Sequence, residues 1–392
     1  APMKGVPEDT IPTEIEVVRN EIRMRSENGN IPFFALLAYI TKHAYPADHP
    51  YHRPIAGDHT SIRNITYPDV VEWVEGHYTA DKATLMFVGD FEQDRAMDYM
   101  IRAGYLELMH ADLTQDYIYR YPRPGLGREP VEDAAEDWWF VAMDPSNPEE
   151  VLMPDAEIPV RAAEFADAEV PDISNKAFGE YVGSVEDPKV VVAWTLPPSY
   201  QGNDTLMNIT GSVLGNIIGN ATAAGPGLAD VDLNVASFDG CGALAYKRAT
   251  VMVCTATLKD PCKDPQKTAE RMLDRAYYLY DPTFGLSLER ELSQVRMDFL
   301  AGIFRNLDLF AVVGGGRATE IAVHAHYTGN PMYHSSQMNE VMGLTASNIA
   351  DLGQAWITRD RATSLVVRPL DREGLLEVSM DGAEHYGDGT AK

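Results

Sequence analysis

Two glutamates near the start of the sequence have a spacing that could serve chemistry. Glu14 and Glu21 are seven residues apart, so a helix places them on one face, two turns apart. They border an apolar stripe formed by Ile15, Val18 and Ile22. Carboxylates in such positions can bind a metal ion, but an acidic helix face in contact with water has the same pattern. The residues alone leave both interpretations open.

A second candidate is the stretch 43–78, which contains five histidines. Zinc ligands on a helix are typically four residues apart, on one face. His43, His49 and His52 instead alternate with prolines, which forbid a continuous helix. A metal site in a proline-rich loop and a set of turn and packing histidines are both compatible with this pattern.

The element that must position Glu14 and Glu21 is a helix within residues 11–28. Pro12, Thr13 and Glu16 form a helix-start signature, because Glu16 lies three residues after Thr13. The apolar stripe then continues at helical spacing. The sequence therefore predicts a helix that starts near Thr13.

An internal repeat indicates the architecture around this helix. Residues 65–88 align without a gap on residues 344–367, and six positions are identical. Each copy is predicted to form an N-capped helix, a short turn and a strand, with Thr66 and Asp69 as a capping box in the first. Upstream, residues 14–22 match 291–299 at nearly the same offset, which pairs Glu21 with Asp298. The sequence therefore carries one α/β unit twice.

The repeat also predicts the domain boundaries. The second copy begins near Lys176, with its first clear strand in residues 186–198. At an offset of about 278, the first copy would begin roughly a hundred residues before Ala1. We expect residues 1–115 to be the latter half of a first domain with exposed apolar surface, 116–172 an acidic, proline-rich linker, and 173–392 a second domain.

Residues 49–91 resemble the latter half of a peptidase domain of the insulinase/pitrilysin family of zinc metallopeptidases. The shared features are the HPY stretch followed by Arg and Pro, an Ile-Thr helix start and a strand ending in Val-Gly-Asp. The segment 14–22 resembles the family's Glu-x6-Glu pair. The resemblance implies an α+β fold with duplicated domains, each an antiparallel-rich sheet with helices packed on one face. It also implies that Glu21 is a zinc ligand, that Glu14 is its supporting carboxylate, and that His49 and His52 are structural.

The sequence departs from the family at the remaining zinc ligands. The family takes two histidine ligands and a general base from HxxEH on a helix, and none of the ten histidines here belongs to HxxEH or HExxH. The resemblance implies that Zn²⁺ would bind only with an upstream HxxEH region. The second copy's likely counterpart of the motif helix, 206–220, has no His or Glu, so that domain is expected to be catalytically silent.

Composition limits the possible partners. The formal charge of −27 argues against a nucleic-acid partner and favours basic peptides or cations. No apolar run approaches the roughly 20 residues that span a bilayer. The three cysteines form no CxxC pair, so neither a disulfide framework nor a zinc knuckle is expected. The acidic, cysteine-poor composition favours a bacterial periplasmic or exported protein.

Two functions remain. The first is a part of a zinc endopeptidase that acts on peptides or small proteins inside a clamshell chamber, completed by a partner half or subunit and inactive as this chain alone. Residues 226–246 lack the Arg of an Arg–Tyr pair that the family's opposing half supplies, which agrees with a first-half chain. The alternative is a non-catalytic peptide-binding or assembly subunit of the same fold.

Overall fold

The computed structural model describes nine stretches of the chain: 7–24, 32–79, 91–102, 177–183, 185–223, 225–259, 263–308, 316–328 and 333–369. The predicted linker, 116–172, and the predicted strand of the first copy, 83–90, lie outside these residues.

One five-stranded sheet organises the second half of the chain. Its strands are β1 Gly179–Gly183, β2 Lys189–Leu196, β3 Val235–Leu244, β4 Thr250–Leu258 and β5 Ala362–Pro369. The order across the sheet is β1-β5-β2-β4-β3, where β1 and β5 are parallel and the other three pairings are antiparallel. The antiparallel-rich sheet predicted from the resemblance is confirmed.

Twelve α-helices lie within the described ranges, five before the sheet and seven within or after it. They are α1 Ile11–Ile22, α2 Pro32–Ala44, α3 His59–Arg63, α4 Tyr67–His77, α5 Gln93–Arg102, α6 Asp204–Gly219, α7 Leu228–Val231, α8 Pro265–Ala276, α9 Gly285–Asp308, α10 Arg317–Thr328, α11 Tyr333–Gly343 and α12 Ala346–Trp356. The α+β class is confirmed.

The main core lies between one face of the sheet and the helices of the second half. In β2 the side chains of Val190, Val192 and Trp194 point into this core, and those of Val191 and Ala193 point to the opposite face. A strand buried on both faces is apolar at consecutive positions, which explains the run VVVAW in β2. The helices of the second half therefore pack on one face of the sheet, as predicted.

Helix α2 covers the opposite face of the sheet. Leu36, Ile40 and Ala44 pack against Val191 and its neighbours in a second, smaller core. The Tyr39 hydroxyl donates a hydrogen bond to the Val182 carbonyl at 3.0 Å. The first part of the chain is thus bound directly to the sheet of the second half.

The helix ends of the repeat have the same geometry in both copies. In α4, the Asp69 carboxylate accepts from Thr66 N at 2.7 Å, and Thr66 caps Asp69 N in return. In α12, Asn348 and Thr345 make the same reciprocal pair, with 2.9 Å from Thr345 N to Asn348 Oδ1. In the second copy a short 3₁₀ turn and strand β5 follow, so its helix–turn–strand prediction is confirmed.

Two features differ in detail from the sequence-based expectations. Helix α1 starts at Ile11, slightly before Thr13, because Pro12 occupies its first turn, where a missing N–H costs nothing. No disulfide framework was expected, yet Cys241 and Cys254 are bonded. They lie directly opposite each other on β3 and β4, a register that the sequence spacing did not reveal.

Among the described residues, no helix combines the length and apolar character needed to cross a membrane.

Candidate functional site

Helix α1 carries both glutamates that the sequence singles out. Glu14 is exposed in the first turn, where a carboxylate interacts favourably with the helix dipole. Glu21 is half-buried, one residue before the helix ends at Ile22. The two side chains therefore differ in their access to water.

A buried arginine fixes the orientation of this helix. Arg19 Nε donates to His59 Nδ1 at 3.3 Å and so attaches α1 to the segment that precedes α4. Its counterpart Arg296 on α9 donates to the Val341 and Leu344 carbonyls at 3.1 and 2.7 Å, just before α12. Aligned arginines therefore attach α1 and α9 to the segment before the capped helix, but through different acceptors: a histidine ring in the first copy and two backbone carbonyls in the second.

A cavity of about 530 Å³ opens beside Glu21. Of the described residues on its wall, Glu21 is the only carboxylate and Arg53 the only cation. Tyr246, which follows β3, also reaches this wall from the second domain. Most of the remaining wall is apolar: Val18, Ile22, Leu37, Ala38, Pro54 and Ile55. The arrangement can hold an uncharged chain with one polar end near Glu21.

The HPY stretch forms the base of this cavity by docking on the second domain. The Tyr45 hydroxyl donates to the Ala249 carbonyl at 2.8 Å, and His52 Nδ1 donates to the Tyr45 carbonyl at 2.8 Å. His49 stacks on Tyr45 with ring centroids 4.6 Å apart and accepts from Tyr51 N at 3.2 Å. These contacts agree with the interpretation of His49 and His52 as structural residues.

His43 is a buried histidine with both ring nitrogens in use. Nε2 lies 3.0 Å from the Ala177 carbonyl, which can only accept, so Nε2 carries the proton. Nδ1 then accepts from the Tyr181 hydroxyl at 2.9 Å. Burial lowers the pKa of His43, although the Ala177 carbonyl acts in the opposite direction. His43 therefore joins α2 to β1 as a neutral side chain.

The second copy contains a comparable cavity between α6 and α9, with a volume of about 740 Å³. Asp298, the counterpart of Glu21, lines it from α9. Asn208 and Ser212, four residues apart on α6, line the facing wall. An amide and a hydroxyl are poor zinc ligands, so this helix pair lacks the donor set of a His₂Glu site.

The rim of the second cavity is acidic and aromatic. Asp204 accepts from Tyr200 N at 2.8 Å, and burial raises the pKa of the Asp204 carboxyl, against that hydrogen bond. Tyr200 stacks on Tyr327 with ring centroids 4.4 Å apart. Asp204 thus adds a carboxylate to the cavity, although no group of three or more described residues there could hold a metal ion.

The residues present do not fit a zinc ion by themselves. Within the described ranges, no group of three or more His, Cys, Asp or Glu side chains could hold a metal ion. Among the described residues lining its cavity, Glu21 is accompanied by neither His nor Cys. The described part of the chain therefore contains no complete set of three ligands for a catalytic zinc ion.

Solved structures with the same fold cover nearly all of this chain. A protease from Helicobacter pylori aligns over 93% of this chain and 73% of its own, at TM-score 0.60 and 16% identity. A putative M16-like peptidase from Alicyclobacillus acidocaldarius aligns over 93% of this chain and 72% of its own, with a TM-score of 0.57 and 13% identity. A peptidase M16 inactive domain from Pseudomonas fluorescens aligns over 94% of this chain and 72% of its own, with a TM-score of 0.56 and 14% identity. The chain has the M16 peptidase-like fold.

The M16 fold is what the resemblance to the insulinase/pitrilysin family predicts. At these identities the likeness concerns the fold alone. No protein-family model matches the chain, and no curated protein matches it either.

The sequence did not predict the residues that complete the Glu21 cavity. Arg53 follows the HPY stretch and belongs to the family resemblance, but the sequence does not indicate that it lines a cavity with Glu21. Tyr246 lies more than two hundred residues away from Glu21 in the chain. Strand β3 ends at Leu244, but no feature of the neighbouring sequence indicates that Tyr246 lies at the cavity beside Glu21.

Proposed function

We propose that this chain is part of a zinc-dependent endopeptidase that acts on peptides within a clamshell chamber. In this proposal Glu21 is one zinc ligand, and Glu14 is the carboxylate that supports the site from outside the ligand set. A bound zinc ion would polarise the peptide carbonyl.

The supporting observation is the equivalence of two helix pairs. In the second copy, Asp298 faces two α6 residues four apart across a shared cavity. The equivalence of Glu21 and Asp298 is supported by the sequence repeat, in which Arg19 also aligns with Arg296. Helix α6 packs beside α9 in the second copy. If another helix packed beside α1 in the same way, two of its residues four positions apart would point toward Glu21.

The two histidines must come from outside this sequence, because it contains no HxxEH. A catalytic zinc site needs three protein ligands and an open position. We therefore propose that an HxxEH helix seated beside α1 supplies the missing two, and that this chain alone does not hydrolyse peptides.

We also propose a peptide substrate and an oxidising compartment. The formal charge of −27 favours basic peptides, and the cavity beside Glu21 offers an apolar wall to an extended chain. The Cys241–Cys254 bond is typical of secreted and periplasmic proteins, which supports the periplasmic or exported location. We further propose that a partner half or subunit closes the chamber.

The test compares single variants in a protein that includes the HxxEH region. Glu21→Gln should lose zinc and peptide turnover together. Glu14→Gln should keep most of the zinc and lose about 10- to 100-fold in turnover, the usual cost of removing a group that supports a metal ligand. Zinc content by mass spectrometry and cleavage of a fluorogenic peptide measure both effects.

The matched control is Asp298→Asn, which changes the equivalent residue of the second copy. Because that cavity lacks a zinc donor set, zinc content and turnover should stay at the level of the unsubstituted protein. Full activity in Glu21→Gln would refute the assignment and leave both glutamates as a solvated helix face.

The second candidate is a non-catalytic peptide-binding or assembly subunit. This candidate is compatible with the described residues, among which no group of three or more His, Cys, Asp or Glu side chains could hold a metal ion. One of the similar structures is itself described as an inactive domain. Absence of zinc in the complete protein, with retained peptide binding, would favour this candidate.

A further inference from the structure

The cavity of the second copy, between α6 and α9, contains three carboxylates. Asp204 and Asp298 line it from these two helices, and Glu320 lines it from α10. Among the described residues on its wall there is neither a lysine nor an arginine. Its volume of about 740 Å³ lies in the range of cavities that hold small ligands. The cavity therefore favours a positively charged occupant.

Two of these carboxylates lie near Tyr200 at the rim of the cavity. Burial raises the pKa of the Tyr200 hydroxyl, and the negative charges of Asp204 and Glu320 act in the same direction. Asp204 is 7% exposed, and its two oxygens accept from Tyr200 N at 2.8 and 2.9 Å. His324 lies at the same end, with Nε2 3.6 Å from Glu320 Oε2. The stack of Tyr200 on Tyr327 adds aromatic faces, to which cations are attracted.

A buried amide is an independent indication of a ligand. Gln337 of α11 lines the cavity and is only 9% exposed. Its side-chain amide makes no hydrogen bond to another residue in the described ranges. A buried amide without a partner costs free energy, so such groups normally meet a donor or an acceptor. An occupant with N–H groups can supply the missing partner.

The chemistry of the wall favours an organic cation over a metal ion. Within the described ranges, no group of three or more His, Cys, Asp or Glu side chains could hold a metal ion. An elongated cation with several N–H groups can instead reach carboxylates that do not converge on one point. Part of the wall is apolar and suits a methylene stem: Val295, Phe299, Ile303 and Val323.

We infer that this cavity binds an alkyl guanidinium or alkyl ammonium group, the chemistry of an arginine or lysine side chain. The charged end lies between Asp204 and Glu320 beside the Tyr200 ring, and further N–H groups pair with Gln337. A guanidinium fits better, because its planar fork of five donors can meet two carboxylates and stack on an aromatic ring. The inference goes beyond the proposed function and needs neither zinc nor Glu21, so each can fail without the other.

Calorimetric titration of the purified 392-residue chain tests the inference, in 0.3 M NaCl to screen general attraction to the acidic surface. The probe is the peptide acetyl-Gly-Arg-Gly-amide. Its match contains citrulline in place of arginine, which keeps the shape of the side chain but carries no charge. The arginine peptide should bind, and the citrulline peptide should bind at least about tenfold more weakly, because charged hydrogen bonds are the stronger ones.

A third titration distinguishes the two sources of such a group. The probe n-butylguanidinium carries the same cation and stem without a peptide backbone. Binding weaker than that of the arginine peptide supports a site for a peptide side chain. Binding as tight as that of the peptide supports a site for a free organic base.

Variants locate the site in the cavity. Glu320→Gln keeps the size of the side chain and removes its charge, so affinity for the arginine peptide should fall about tenfold. Gln337→Leu removes one neutral hydrogen-bonding group and should reduce affinity about fivefold. The matched control is Glu270→Gln, which removes the same charge from the exposed side of α8, outside the cavity, and should leave affinity unchanged. Thermal unfolding verifies that each variant is folded.

Three results would overturn the inference. The first is equal affinity for the arginine and citrulline peptides. The second is an equal loss of affinity in Glu320→Gln and Glu270→Gln, because the attraction is then a property of the whole acidic surface. The third is no binding of either guanidinium probe at millimolar concentration.

Discussion

His43 shows how a single residue connects the two parts of the chain. It accepts from Tyr181 on β1 and donates to Ala177, so its ring is fixed in one neutral tautomer. A cluster of histidines in a sequence suggests metal binding, but here the hydrogen-bond partners decide the role. Those partners lie more than 130 residues away, which is why residues 43–78 alone left both interpretations open.

The burial of His43 predicts a pH dependence of stability. Its pKa is lowered from 6.5 in the folded state, so below pH 6.5 the unfolded chain binds more protons and the folded state loses stability. The contribution of neutral His43 to the free energy of unfolding is fully present above pH 6.5. It falls by at most about 1.4 kcal/mol per pH unit as the pH decreases toward the lowered pKa of His43. His43→Gln should keep both hydrogen bonds and lose less stability between pH 7.5 and 5.5. Urea unfolding at the two pH values measures the difference.

The control for this prediction is His77→Gln, which changes an exposed histidine at the end of α4. Its unfolding curves should follow those of the unsubstituted chain at both pH values. An identical pH dependence in His43→Gln would contradict the assignment of a neutral, buried His43.

At the scale of elements, local signals were predictable and distant pairings were not. The capping box of Thr66 and Asp69 is readable from the sequence because its partners are three residues apart. The Cys241–Cys254 bond depends on the register of two strands, which the sequence does not specify. The sequence suggested a start of α1 near Thr13, because Thr13 and Glu16 have the spacing of a capping box. Both residues lie inside the helix, which begins at Ile11.

Gly353 in α12 and Gly302 in α9 have different surroundings, so their substitution by alanine should have opposite effects on stability. Gly353→Ala would place a Cβ 2.9 Å from Leu279 and 3.2 Å from Tyr280. We expect a net loss of about 1 to 2 kcal/mol, because overpacking exceeds the gain in helix propensity. Gly302→Ala in α9 meets nothing within 4 Å and should stabilise by about 0.5 to 1 kcal/mol. Chemical denaturation of both variants tests this, and destabilisation by Gly302→Ala would contradict it.

At the scale of the molecule, the sequence could single out the two candidate glutamates but not the residues around them. The repeat and the resemblance selected Glu14 and Glu21, because helical spacing is a local property. They could not select Arg53 or Tyr246, which reach the same cavity only through the docking of the first part on the second domain. The sequence contains the residues on both sides of this contact, but it does not show how the two parts of the chain are placed against each other.

That docking rests on contacts that span the chain. Ile40 of α2 is fully buried among Val191, Leu365 and Val367 of the sheet. The Tyr45 hydroxyl donates to the Ala249 carbonyl, and Arg248 N donates to the Tyr51 hydroxyl at 3.1 Å. A buried apolar helix face together with the buried Tyr45–Ala249 hydrogen bond stabilises such an interface by several kcal/mol.

We therefore expect the two parts to remain associated when the chain between them is cut. A protease site inserted within residues 116–172 should yield two fragments that elute together in size-exclusion chromatography. Ile40→Asp buries an unpaired carboxylate against the sheet, a change that costs several kcal/mol, so the fragments of this variant should separate. Val17→Asp on the exposed side of α1 is the control and should leave them together. Separation of the unsubstituted fragments would show that the covalent connection, and not the α2–sheet interface, holds Glu21 beside Tyr246.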